Sequence, residues 1–133
     1  MPTAKFKWTT VNGVMIGVTG AGEMPVEEWE RFVAHMNQGE STRYLQYAVG
    51  STSLTSVQRK IGIDAVNNNS IAVVMVTDSP IVRGIVTAAS WFGVKVKSYS
   101  PNQLGEAITA LDIPADQHED VLRAAENLAD EVR

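Results

Sequence analysis

The chain has 133 residues, 11 basic against 15 acidic for a formal net charge of −4, and no cysteine. The acidic balance and the lack of any Lys/Arg run argue against a nucleic-acid binder, and the missing cysteines exclude disulfides, thiol catalysis and thiolate-bound zinc. The length corresponds to one domain over 1–133 with enough chain for a core. No stretch is apolar for long enough to span a membrane, and MPTAKFKWTT lacks the apolar centre of a signal peptide, so the expected location is the cytoplasm.

Two short apolar runs, Lys5 to Thr10 and Val14 to Thr19, flank Asn12-Gly13, a dipeptide that favours the tight turn of a β-hairpin. Val18-Thr19-Gly20-Ala21-Gly22 has the opening of a dinucleotide-binding loop. Met24, Pro25 and Val26 stand where further glycines must let the backbone approach a pyrophosphate, and the next strand offers no acidic residue for a ribose. A plain turn is expected there, and no cofactor.

Pro25 suits a first helical turn, and Trp29, Phe32, Val33 and Met36 recur at helical spacing before Gly39 stops the segment. His35 lies off that stripe and is expected at the surface, as is His118 further on; neither has a second histidine or a carboxylate at ligand spacing, so no metal site is expected. Tyr44 to Val49 reads as a strand.

The segment VGSTSLTSVQRK (49–60) follows. Thr55-Ser56-Val57-Gln58 has the form of a capping box, and Val57, Ile61 and Ala65 mark one side of a second helix ending in Asn67-Asn68-Asn69. The cap accounts for Thr55 but leaves Ser51, Thr52, Ser53 and Ser56 without a structural reason. A helix start presents unpaired amides and a positive dipole end, which suits a phosphorylated hydroxyl.

Ile71 to Val76 (IAVVMV) is a β-branched run expected of an inner strand buried on both faces. Asp78-Ser79-Pro80 caps a third helix running to about Phe92, with Gly93 closing it; Ser79 reads as a cap, not a nucleophile. Val82, Ile85, Ala89 and Phe92 supply the stripe that would cover a sheet. Ile81, Ala88 and Trp91 fall outside it. Either the terminal helix covers these three or they form a dimer surface against a second copy.

Val94 to Lys97 alternates with lysines on one face, as in a guarded edge strand. Ser100-Pro101-Asn102-Gln103 forms a second capping box before a helix carrying Leu104, Ala107, Ile108 and Leu111. Pro114 breaks the chain, and Val121, Ala125, Leu128 and Val132 make 113–133 a terminal amphipathic helix. The acidic groups Glu27-Glu28-Glu30 and Asp116-Glu119-Asp120 lie near helix starts, where the dipole favours them. The order β-β-α-β-α-β-α-β-α-α implies an α/β fold: a mostly parallel sheet of about five strands with an N-terminal hairpin, covered by four to five helices. No catalytic constellation emerges, so an enzyme is not expected.

This order, together with IAVVMVTDSPIVRGIVTAASWFGVKVKSYSPNQLGEAITALDIP, resembles the STAS domain (sulfate transporter and anti-sigma factor antagonist) of bacterial regulatory proteins. In that family the strand before the second helix runs into Asp-Leu-Ser-Gly, four variable residues and Asp-Ser-Ser-Gly, whose first serine accepts phosphate from an anti-sigma-type kinase. Laid on without gaps, Gly50 takes the place of the first glycine, Thr55 of the aspartate and Ser56 of the phosphoacceptor. Val57 and Gln58 replace the second serine and the last glycine. The resemblance implies a STAS-like fold and a non-enzymatic signalling module that binds a regulatory protein, either a kinase or an anti-sigma-like factor. The expected docking loop is Gly50, Ser51, Thr52, Ser53, Thr55 and Arg59, with Ser56 as phosphoacceptor. The alternative is a structural, homodimeric domain without a phosphorylation switch.

Overall fold

The computed structural model describes residues 2–91, 93 and 95–133, with side chains for all of these except 89–91. The N-terminal hairpin pairs β1 (Phe6–Val11) with β2 (Val14–Thr19), and Asn12 and Gly13 take positive φ of 52° and 78° in its turn. Three further strands join in parallel: β4 (Arg43–Ala48), β6 (Ala72–Val76) and β7 (Val96–Tyr99). The five-stranded sheet has the order β1-β2-β4-β6-β7, so β6 is an inner strand and β7 an edge carrying exposed Lys97. Between β2 and α1, and between β4 and α2, two-residue strands β3 (Gly22–Glu23) and β5 (Thr52–Ser53) pair in parallel as a separate ribbon. These two were not predicted, because a two-residue strand carries no periodicity.

Among the described residues, five α-helices cover the sheet: α1 (Val26–Met36), α2 (Ser56–Asn68), α3 (Pro80–Trp91), α4 (Leu104–Thr109) and α5 (His118–Val132). Alternation along the strands separates two cores. Val14, Ile16 and Val18 of β2, Leu45 and Tyr47 of β4, and Val74 and Val76 of β6 face α4 and α5, where Ala107, Ile108, Val121, Ala125, Ala129 and Val132 are buried against them. Met15, Tyr44 and Val73 face the other way, onto α1 and α2. There Phe32 of α1 is ringed by Phe6, Trp8 and Tyr44, with centroid separations of 5.3, 5.3 and 4.9 Å.

Several local expectations change once packing is known. α2 does not bury Val57, which is 68% exposed; its inner face is Gln58, Gly62, Ala65 and Val66. His35 is not a free surface residue, since its ring packs at 5.4 Å on Trp8. His118 Nε2 donates to the Ile113 carbonyl at 3.1 Å, tying the start of α5 to the preceding loop.

Among the described side chains of α3, Val86 is buried and Val82 half-buried, whereas Ile85 of the expected stripe is 39% exposed. Of the remaining stripe positions, Phe92 and the Ala89 side chain lie outside the described residues, and so does Val94 of the expected edge strand. Nor does α5 cover Ile81: it packs on β1 and β2 from the opposite face of the sheet, and Ile81 remains 77% exposed. Ala88 is half-buried, and the Trp91 side chain lies outside the described residues.

Candidate functional site

The hydroxyl-rich loop leaves β4 at the C-terminal end of the parallel strands and is held by the ribbon beneath it. Gly22 N donates to Ser51 O and Met24 N to Ser53 O, each at 2.9 Å, so the main chain of 51–53 is fixed. Gly22 sits at φ 129°, and a Cβ there would lie 2.4 Å from the Pro2 carbonyl oxygen. Gly50 is equally confined, since its Cβ would lie 2.6 Å from Ala21 N. The glycines of 20–22 and Gly50 thus serve close chain packing; the expected turn over 18–22 shrinks to Gly20-Ala21, because Val18 and Thr19 belong to β2 and Gly22 opens β3.

Within the loop the hydroxyls divide. Thr52 Oγ1 donates to the Gly20 carbonyl at 2.7 Å and joins the loop to the end of β2. Ser51 and Ser53 are exposed. Thr55 is the N-cap of α2: its Oγ1 accepts from Gln58 N at 3.1 Å, while Thr55 N donates to Gln58 Oε1 at 2.9 Å. Both halves of the capping box are made. Ser56 is the first helical residue and is exposed, and among the described residues its hydroxyl has no hydrogen-bond partner. Arg59 and Lys60 follow one turn later, both exposed, at the i+3 and i+4 spacing that brings side chains together on a helix. Lys60 pairs with Asp64 at 3.0 Å; among the described residues Arg59 has no ion pair.

Gln58 stands where the resembled pattern has a glycine, and it has a definite job. It is buried, and its Nε2 donates to the Met24 carbonyl at 3.0 Å, joining α2 to the chain before α1. A glycine could make neither this bond nor the capping box.

The same loop rims a cavity of about 390 Å³ between the sheet, α2 and α3. Tyr44, Gln46, Val73, Met75 and Val96 form its floor, Gly62, Ile63 and Val66 of α2 one wall, and Val82, Ile85 and Val86 of α3 the other. Ser51, Ser53, Arg59 and Ser79 lie at the strands' C-terminal end. On the floor the Tyr44 hydroxyl donates to Gln46 Oε1, and Gln46 Nε2 reaches Thr19 Oγ1 at 3.4 Å. Burial holds the Tyr44 phenol well above its ordinary pKa, so it stays protonated. Sequence reasoning missed this cavity, because Tyr44 and Gln46 read only as alternating strand residues. Ser79 behaves as expected, accepting from Val82 N at 3.3 Å at the start of α3.

Among the described residues no helix is long and apolar enough to cross a membrane. No protein-family model matches this chain, and a search of curated proteins finds no match.

Proposed function

We propose that this chain is a non-enzymatic, cytoplasmic protein-binding module of the STAS type, carrying regulatory phosphate on Ser56 and docking a kinase or anti-sigma-like partner through the loop from Gly50 to Arg59. One observation carries the reading: Ser56 is exposed in the first turn of α2, beside a completed cap, with no hydrogen bond of its own among the described residues. A phosphate there adds roughly two negative charges at the positive end of a helix, within reach of Arg59. The fixed main chain of 51–53 presents Ser51 and Ser53 on a rigid platform, which lowers the ordering cost of docking. Mass spectrometry of protein isolated from its own cells tests the switch, with Ser56 phosphorylated in at least one growth state. Capture of partners by the Ser56→Asp and Ser56→Ala proteins tests its consequence, one binding and the other not. Absence of phosphate from Ser51 to Ser56 in every state, with equal capture by both variants, refutes it.

The exposure of Ile81 favours a second reading, a homodimer built on α3, since α5 lies on the other face of the sheet and leaves this residue uncovered. Light scattering decides: Ile81→Glu yields a folded monomer from a dimeric parent. A monomeric parent removes the reading.

A further inference from the structure

Protein interiors leave few voids larger than a water molecule, whereas ligand sites occupy roughly 300–1,000 Å³ and are mainly apolar with a few placed polar groups. The cavity between the sheet, α2 and α3 falls within that range at about 390 Å³. Its chemistry is graded along the strands. At one end lie Tyr44, Val66, Val73 and Val96; at the other, beyond Gln46 and Met75, are the loop serines and Arg59. The span from Tyr44 to Ala48 is four residues of strand, roughly 13 Å at about 3.3 Å per residue.

Two further features narrow the occupant. The inner polar groups are satisfied by one another, the Tyr44 hydroxyl by Gln46 and Gln46 by Thr19, so the deep end asks for no polar partner. Among the described lining residues, Arg59 at the mouth is the one charged side chain, and it has no ion pair. Ile63, Ile81 and Ile85 around the opening are at least 37% exposed, an apolar rim continuous with the interior.

We infer that this cavity binds a single-chain anionic amphiphile, a long-chain carboxylate whose alkyl tail lies along β4 and β6 beneath α3 and whose head group pairs with Arg59. The tail exchanges water for Val, Ile and Met side chains, so each methylene it buries adds to the affinity. The head group receives a charge-assisted hydrogen bond from the guanidinium while remaining partly hydrated. The inference does not rest on partner docking, because it concerns the purified chain alone.

The test is a titration of the whole chain with parinaric acid, a fluorescent long-chain carboxylate, displaced by dodecanoate or by uncharged 1-dodecanol. Saturable one-to-one uptake is expected, with both competitors displacing the probe. Arg59→Gln weakens dodecanoate about tenfold, the worth of one charge-assisted hydrogen bond, and leaves 1-dodecanol unchanged. Val82→Trp fills the space from the α3 side and weakens both competitors about tenfold or more by overpacking. Should Val82→Trp fail to fold, Ile85→Glu serves instead: its position is already 39% exposed, and its charge selectively repels dodecanoate. Absence of saturable uptake overturns the inference. So does unchanged affinity in folded Val82→Trp or in Ile85→Glu, equal loss of acid and alcohol in Arg59→Gln, or capture by anionic vesicles without displacement by free dodecanoate.

Discussion

The indole nitrogen of Trp29 on α1 donates to the carbonyl of Gln58 on α2 at 2.9 Å, in a buried contact that joins the helix bearing the aromatic core to the helix that opens the candidate site. Gln58 closes the capping box with its side-chain oxygen and reaches the Met24 carbonyl with its side-chain nitrogen. One residue therefore ties the start of α2 to α1 and to the chain before it by two bonds, and closes the helix cap by a third. The loop before it keeps its shape through the ribbon, where Gly22 N and Met24 N donate to the carbonyls of Ser51 and Ser53.

Removing these ties has a calculable cost. Gln58→Gly, which restores the residue of the resembled pattern, leaves the Met24 carbonyl and the Thr55 amide without their partner and should lower stability by about 2–4 kcal/mol. Trp29→Phe keeps most of the ring packing and loses one buried donor, for about 1–2 kcal/mol. Urea denaturation followed by circular dichroism measures both, and Gln58→Gly should be the more damaging.

Thr55 tests the placement of the helix start. Thr55→Ala should cost about 1 kcal/mol through the lost cap, while Thr55→Asp, an equally good cap, should be tolerated. Thermal melts distinguish the two. An aspartate variant much worse than the alanine variant would mean that the cap is elsewhere.

Two helical glycines should respond in opposite directions. A Cβ on Gly62 would sit 2.7 Å from Trp29 Cζ2, and Trp29 is only 6% exposed, so the ring has little room to yield. The overpacking cost of about 1–3 kcal/mol should exceed the helix-propensity gain of about 1 kcal/mol, making Gly62→Ala destabilising. Gly84 on α3 is exposed, with no atom within 4 Å of an added Cβ. There the propensity gain stands alone, and Gly84→Ala should be more stable by about 1 kcal/mol. Melting temperatures of the pair, read side by side, check this.

Tyr44 sets an alkaline limit. Its phenol is held protonated in the fold by burial, whereas in the unfolded chain it ionises near pH 10. The folded state then binds the proton more tightly, so this contribution is fully present below about pH 10 and declines as pH rises above that value. Tyr44→Phe should lose about 1 kcal/mol at neutral pH with the hydrogen bond to Gln46, yet show a shallower loss of stability above pH 10. Denaturant midpoints across that range supply the measurement.

Local chemistry by itself determined much of this molecule. Asn12-Gly13 specified the hairpin because both residues accept positive φ, and Thr55 with Gln58 specified the start of α2 because a capping box is completed within four residues. The β-branched run before Asp78 and the stripe of Val121, Ala125, Leu128 and Val132 announced an inner strand and a sheet-covering helix, since burial imposes periods of two and 3.6; of that stripe Leu128 is only partly buried, and Ala129 takes the inner position beside it. These signals lie within one element, where neighbours in sequence are neighbours in space. What only the tertiary structure decided depended on partners far along the chain. Gln58 read as half of a capping box and nothing more until Met24 and Trp29 arrived beside it, and Thr52 as a spare hydroxyl until Gly20 did. The choice of sheet face for α5, which leaves Ile81 exposed, was likewise invisible, because an amphipathic helix records that it has an inner face but not which surface will receive it. The cavity beneath α3 is the extreme case: its walls come from elements throughout the chain, and a space between side chains leaves no residue of its own in the sequence.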